Sequence, residues 1–141
     1  MVNINPYLNF PGNTEEAFEF YQSVFGGEYL ALMRFSDSPD GASVPAADKG
    51  KLMHISLPVG DTVLMGTDAL ESMGHKLVTG TNFSLSLNPT QLEEGEKYFN
   101  ALSAGGKVQV PFQKSSWGAH FGMLTDKFGI QWMVNVDDRG V

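Results

Sequence analysis

Histidine titrates nearest neutral pH, and this chain has three. His54 sits in Met53-His54-Ile55-Ser56-Leu57 and His120 in Ala119-His120-Phe121-Gly122. Either could move a proton or touch a metal ion, and these two are the catalytic candidates. Each is equally readable as a strand histidine held by ordinary packing hydrogen bonds. His75 lies in a Gly-flanked connector and reads as solvated. With no cysteine, the chain has no thiolate nucleophile, thiolate metal site or disulfide. The remaining ligand-binding candidates are amides, hydroxyls, thioethers and rings: Asn5, Tyr7, Phe35, Met65, Asn82, Ser84, Trp117 and Met133. Trp117, at a loop-to-strand junction, is the better stacking wall for a flat ligand, with Tyr7 and Phe35 beside it. Trp132 alternates with Ile130 and Val134 and reads as core. Glu93, Glu94 and Glu96 read as the wet face of a helix, and Asp61 and Asp126 as turn residues.

Strands must position most of these side chains. Asn5 to Phe10 alternates polar and apolar residues, the period of a half-buried strand. Leu8 and Phe10 are expected to face a helix, leaving Asn5, Tyr7 and Asn9 on the other side. The same count sends Phe83, Leu85 and Leu87 toward a helix and Asn82, Ser84 and Ser86 away from it. It sends Ile55 and Leu57 to the core and His54 and Ser56 away. On the seventh strand it places Ala119, Phe121 and Met123 on one face and His120 with Gly122 on the ligand side. The predicted hollow is therefore polar, with amides, hydroxyls and two imidazoles, as a small-molecule site would be.

The elements occur twice. After the first strand, Asn13 or Thr14 opens a helix with Glu15 and Glu16 in its first turn, where the helix dipole favours acids. Ala17, Phe18, Tyr21, Val24 and Phe25 form its apolar stripe, and Gly26-Gly27 closes it. In the second half, Asn82 to Leu87 alternates again, Pro89 and Thr90 open a helix, and Gly105-Gly106 ends it. The strand starts lie 77 residues apart and the Gly-Gly pairs 79. Three strand candidates follow each pair: 28–35, 51–58 and 62–67, then 107–113, 118–125 and 130–136. There the offset falls to 68, because the first half carries the long Ser-, Pro-, Asp- and Gly-rich stretch 36–50, which reads as mobile. A second connector spans 68–80. This predicts one α+β domain, 1–141, of two pseudosymmetric βαβββ modules, 1–68 and 81–137. Their curved mixed sheets are expected to enclose a cleft.

Composition narrows the partners. A formal net charge of −7 opposes a polyanion, so neither nucleic acid nor a membrane surface is an expected partner. The first residues have no basic, apolar pattern of a signal peptide, and no apolar run reaches membrane-spanning length. The expected location is cytoplasmic.

The chain resembles the vicinal-oxygen-chelate superfamily of glyoxalase, bleomycin-resistance and dioxygenase folds, and within it the PhnB-like branch. The resemblance rests on 6–13 (PYLNFPGN), 17–21 (AFEFY), Phe25-Gly26-Gly27, 117–122 (WGAHFG) and 125–133 (TDKFGIQWM). It implies paired βαβββ modules, a homodimer and a ligand in the concave sheet. It also implies a divalent metal held by first- and last-strand side chains, commonly His and Glu. Those places fall here on Asn5, Met65, Asn82 and Met133. Neutral amides and thioethers are poor ligands for a hard or borderline ion, so the standard metal centre is expected to be missing. Some relatives carry a methyltransferase label, but no motif for S-adenosylmethionine is visible. Neither is a nucleophile elbow, a phosphate-binding loop or a dinucleotide fingerprint.

Together these readings favour a small-molecule-binding protein without the standard metal centre. The alternative is a lyase, isomerase or dioxygenase-type enzyme assisted by His54 and His120, with or without an ion. A third reading, a structural dimer with an idle hollow, fits the polar lining least.

Overall fold

The computed structural model describes residues 2–137, with the side chain of Asp40 left aside. The chain divides into two compact units, Met1–Val78 and Thr79–Val141. In the first, β1 (Tyr7–Phe10) and α1 (Thr14–Phe25) precede β2 (Ala31–Arg34), β3 (Leu52–Val59) and β4 (Thr62–Asp68). In the second, β5 (Leu85–Leu87) and α2 (Leu92–Ser103) precede β6 (Lys107–Lys114), β7 (Ala119–Thr125) and β8 (Gln131–Asp137).

Each unit folds into a four-stranded mixed sheet, ordered β1-β4-β3-β2 and β5-β8-β7-β6. The opening strand runs parallel to the last, and the other neighbours are antiparallel. The repeated order is what two copies of one βαβββ unit predict.

In the first unit α1 buries Ala17, Phe18, Tyr21 and Val24 against the sheet. Phe18 stands edge-on to both Phe10 and Tyr21. The helix lies so close that a Cβ on Gly66 would sit 2.6 Å from the Phe18 ring. Leu8, Gly66 and Ile55 align across β1, β4 and β3 on this helix-covered face. In the second unit the same closeness falls at Gly122, whose added Cβ would lie 2.6 Å from Phe99 of α2.

Several expectations are corrected. The 36–50 stretch is not a loose loop: it winds into short 3₁₀ turns at Phe35–Asp37, Pro39–Ser43 and Ala46–Asp48. Phe35 and Val44, buried with Leu70 against Met53, hold it down. The second helix starts at Leu92, not at Pro89, and β5 at Leu85, not at Asn82. Phe83, expected to face a helix, is 59% exposed ahead of β5. Asn13 occupies the cap position of α1 without a side-chain cap bond. Asp68 caps it instead: Oδ1 accepts from the Thr14 N–H at 3.0 Å and the Thr14 hydroxyl at 2.7 Å. Among the described residues, no helix is long and apolar enough to cross a membrane.

Candidate functional site

The face of the first sheet away from α1 brings together three of the predicted site residues, Tyr7, His54 and Met65. Strand register aligns Tyr7 with Met65, Met65 with Ser56, and Met33 with His54, so all five side chains share that open face. Asn9 and Thr67 pair on the same face.

The Tyr7 hydroxyl and His54 Nδ1 lie 3.1 Å apart, and their ring centroids 5.7 Å. Partial burial raises the Tyr7 phenol above its ordinary pKa, against an opposing hydrogen bond with Thr67. A phenol that keeps its proton can donate to Nδ1, which leaves the proton of a neutral ring on Nε2. Thr67 is anchored by donating its hydroxyl to Met53 O at 2.8 Å. Ser56, only 5% exposed, lines up with Met65 across β3 and β4. His54 and Tyr7 thus present an oriented donor and acceptor pair beside the Ser56 hydroxyl, among the thioethers of Met33 and Met65.

The structure separates the other candidates. His120 is not on the ligand side: it shares its face with Gly122 and Leu124, opposite Val136, Val134 and Trp132. Its ring packs 5.9 Å from Phe112, which stacks on Phe99 of α2. The expected parity of β7 is therefore reversed. The helix side is that of His120 and Gly122, where Phe99 fills the space that Gly122 leaves. Phe35 is likewise no ligand wall, being buried in the cluster under the 3₁₀ turns.

Met133 lies on the open face of the second sheet, opposite Ser86 and Met123. Trp117 is 58% exposed and stands edge-on to Phe121 on that face at 5.6 Å. Asn82 is exposed and Ser84 half-buried, both ahead of β5. Trp132 is core as expected, and its Nε1–H donates to Asp126 Oδ2 at 2.8 Å. Asp126 also accepts the N–H groups of Phe128 and Ile130, as a turn aspartate should. His75 is exposed.

Metal fit can be judged from the donors. Asn5 Oδ1 accepts the Val63 N–H at 3.0 Å, so this amide oxygen extends the β1–β4 pairing. Met65 and Met133 offer only thioethers. No three His, Cys, Asp or Glu side chains gather among the described residues. Asn5, Met65, Asn82 and Met133 do not fit a hard divalent ion.

Sequence reasoning missed a second feature on the helix side of the first sheet. A cavity of about 290 Å³ is lined by Gly12, Glu15, Ala47, Gly50, Lys51, Leu52 and Asp68. Its charges are already used. Lys51 Nζ donates to Gly12 O at 3.0 Å, and Arg34 grips both Glu15 oxygens at 3.0 and 2.7 Å. The Arg34 hydrogen bond lowers the Glu15 pKa, and the same bond raises that of Arg34. Arg34 also donates to Gly50 O at 2.9 Å, tying the end of the 36–50 stretch to α1. No pattern in the sequence links positions 15, 34 and 50.

Comparison with known proteins places the fold. The family described as 3-demethylubiquinone-9 3-methyltransferase matches residues 2–135. Protein YjdN of Escherichia coli is 34% identical, over 94% of each chain. The solved structure of PA1353 from Pseudomonas aeruginosa is 42% identical with a TM-score of 0.86, covering 97% of this chain and 98% of its own. A PhnB protein from Bacillus cereus, described as a 3-demethylubiquinone-9 3-methyltransferase, is 24% identical with a TM-score of 0.77, over 96% and 99%. Glyoxalase-related structures at 16% and 19% identity share the fold, with TM-scores of 0.66 and 0.61.

Proposed function

The chain belongs to the PhnB-like family described as 3-demethylubiquinone-9 3-methyltransferase, with the glyoxalase and bleomycin-resistance fold, and from that premise we propose that it binds a small molecule without the standard divalent metal centre. The Tyr7–His54 hydrogen bond on the open face of the first sheet carries this reading. A histidine whose Nδ1 is held by a phenol presents Nε2 in a set direction, which suits recognition of an oxygen or nitrogen on a ligand. The Asn5 amide, already bonded to Val63, and the Met65 thioether argue against an ion at the usual place. A homodimer and a cytoplasmic location belong to the same reading.

Native mass spectrometry of freshly purified protein, with elemental analysis, tests all of it together. The expected result is a dimer mass, less than one tenth of an equivalent of any divalent metal, and a retained organic mass that His54→Ala loses. A stoichiometric divalent ion would overturn the metal-free reading. Conversion of the retained compound on incubation would make the protein an enzyme.

A further inference from the structure

The strands of the first sheet sort their charges onto one side. Arg34 of β2 and Asp68 of β4 lie on the side of α1, where Glu15 pairs with the first and Thr14 hydrogen-bonds the second. From Asn9 and Tyr7 on β1 across Met65, Ser56 and His54 to Met33 on β2, the open face bears no Asp, Glu, Lys or Arg among the described residues. Sheets with one solvated face ordinarily show the reverse. Lys51 and Arg34, the cations nearest in sequence, are engaged on the helix side with Gly12 O and Glu15. A phosphate, phosphonate or carboxylate on the open face would give up part of its hydration with no fixed cation to replace it. What the face does offer suits neutral oxygen. Ser56 brings a hydroxyl in line with Met65 and Tyr7 across the strands, and the Tyr7–His54 pair can both donate and accept. Met33 and Met65 add polarisable apolar surface.

We infer that this face takes an uncharged ligand, an apolar-bodied molecule with hydroxyl or carbonyl oxygens, and discriminates against anions. The inference rests on the binding reading above and sharpens it to a ligand class. Matched probes on one skeleton test it. Saturation-transfer NMR and calorimetry on the full chain would compare 2-naphthol with 2-naphthoate, and phenol with phenylphosphonate. The neutral member of each pair is expected to bind at least tenfold tighter. Ser56→Ala and Tyr7→Phe should each weaken it several-fold with the circular dichroism spectrum unchanged. Met33→Lys, at an already exposed site, should raise phenylphosphonate affinity several-fold and so report the location independently.

Equal or tighter binding of the anions would overturn the ligand class while leaving the binding reading standing. Neutral binding indifferent to Ser56→Ala, Tyr7→Phe and Met33→Lys would remove it from this face. No binding by either member of either pair, with the signals of His54 and Tyr7 unmoved, would sink both. Probe binding that weakens as the chain self-associates would give the face to a second copy and overturn the inference.

Discussion

Asp68, the last residue of β4, caps the helix that begins at Thr14: one carboxylate oxygen accepts both the Thr14 N–H and its hydroxyl, and the other accepts the Leu52 N–H at 2.8 Å. A single buried side chain thus joins the start of α1 to the middle of the sheet, 54 residues away in sequence. It replaces the local cap that Asn13 does not make. Asp68→Ala leaves three donors without their acceptor, and the expected loss is about 2–4 kcal/mol. Urea unfolding followed by circular dichroism measures it. A loss below half a kcal/mol would show that water replaces the carboxylate at no cost.

The Arg34–Glu15 pair should matter little at neutral pH. Both side chains are about a third or more exposed, so screening holds the pair to about 1 kcal/mol or less. Its pH dependence has a definite sign. The folded pKa of Glu15 is lowered, so its contribution is present above the unfolded value and lost as pH falls through the folded one. The stability difference between wild type and Glu15→Gln should therefore shrink on acidification through the carboxylate range. A difference that grows instead would contradict the assignment.

Tyr7 makes the opposite prediction at alkaline pH. Burial raises its folded pKa, so its contribution is full below the unfolded tyrosine value and disappears as pH climbs through the folded one. Tyr29 and Tyr98 are also raised, and Tyr7→Phe should remove only its own share of the alkaline loss. Absorbance at the phenolate band during a base titration, compared between wild type and Tyr7→Phe, follows this directly.

The two histidines should respond differently to truncation. His120 packs with Phe112 on the side covered by α2, so His120→Ala is expected to cost about 1–3 kcal/mol while leaving probe binding intact. His54→Ala should do the reverse, with stability within about 1 kcal/mol of wild type and binding lost. Thermal melts paired with calorimetry separate the two, and matching losses for both would refute the face assignment.

Close helix–sheet approach leaves no room for a side chain at Gly122, Gly66 or Gly95. An alanine methyl at Gly122 would meet the Phe99 ring at 2.6 Å and the Phe112 backbone at 2.8 Å. At Gly66 it would meet the Phe18 ring at 2.6 Å. Either substitution is expected to destabilise its unit by about 1–3 kcal/mol, read as a shifted denaturation midpoint. An unchanged midpoint would mean that the helix gives way freely.

Periodicity within single segments carried the local structure. Apolar spacing placed both helices, alternation placed the strands, and the near-constant offset between the halves announced the duplicated order that both sheets display. The open-face positions of Tyr7 and His54 followed too, because the helix side of their strands is marked by large apolar residues such as Leu8 and Ile55. On β7 that marking fails. Gly122 has no side chain to declare its face, and Phe99, far off in sequence, supplies the bulk that closes the helix side. Phe35 and the 36–50 stretch escaped for a related reason: their anchor, Leu70, lies beyond two intervening strands.

The sequence alone determined the elements and their repetition, since hydrophobic period and chain-local turn chemistry are properties of neighbouring residues. Tertiary structure decided which side of the second sheet His120 occupies, that Asp68 caps α1, that Asn5 spends its amide on Val63, and that Arg34 holds Glu15. Those contacts join residues up to 58 positions apart, and their strength depends on distance in space, which no pattern along the chain encodes.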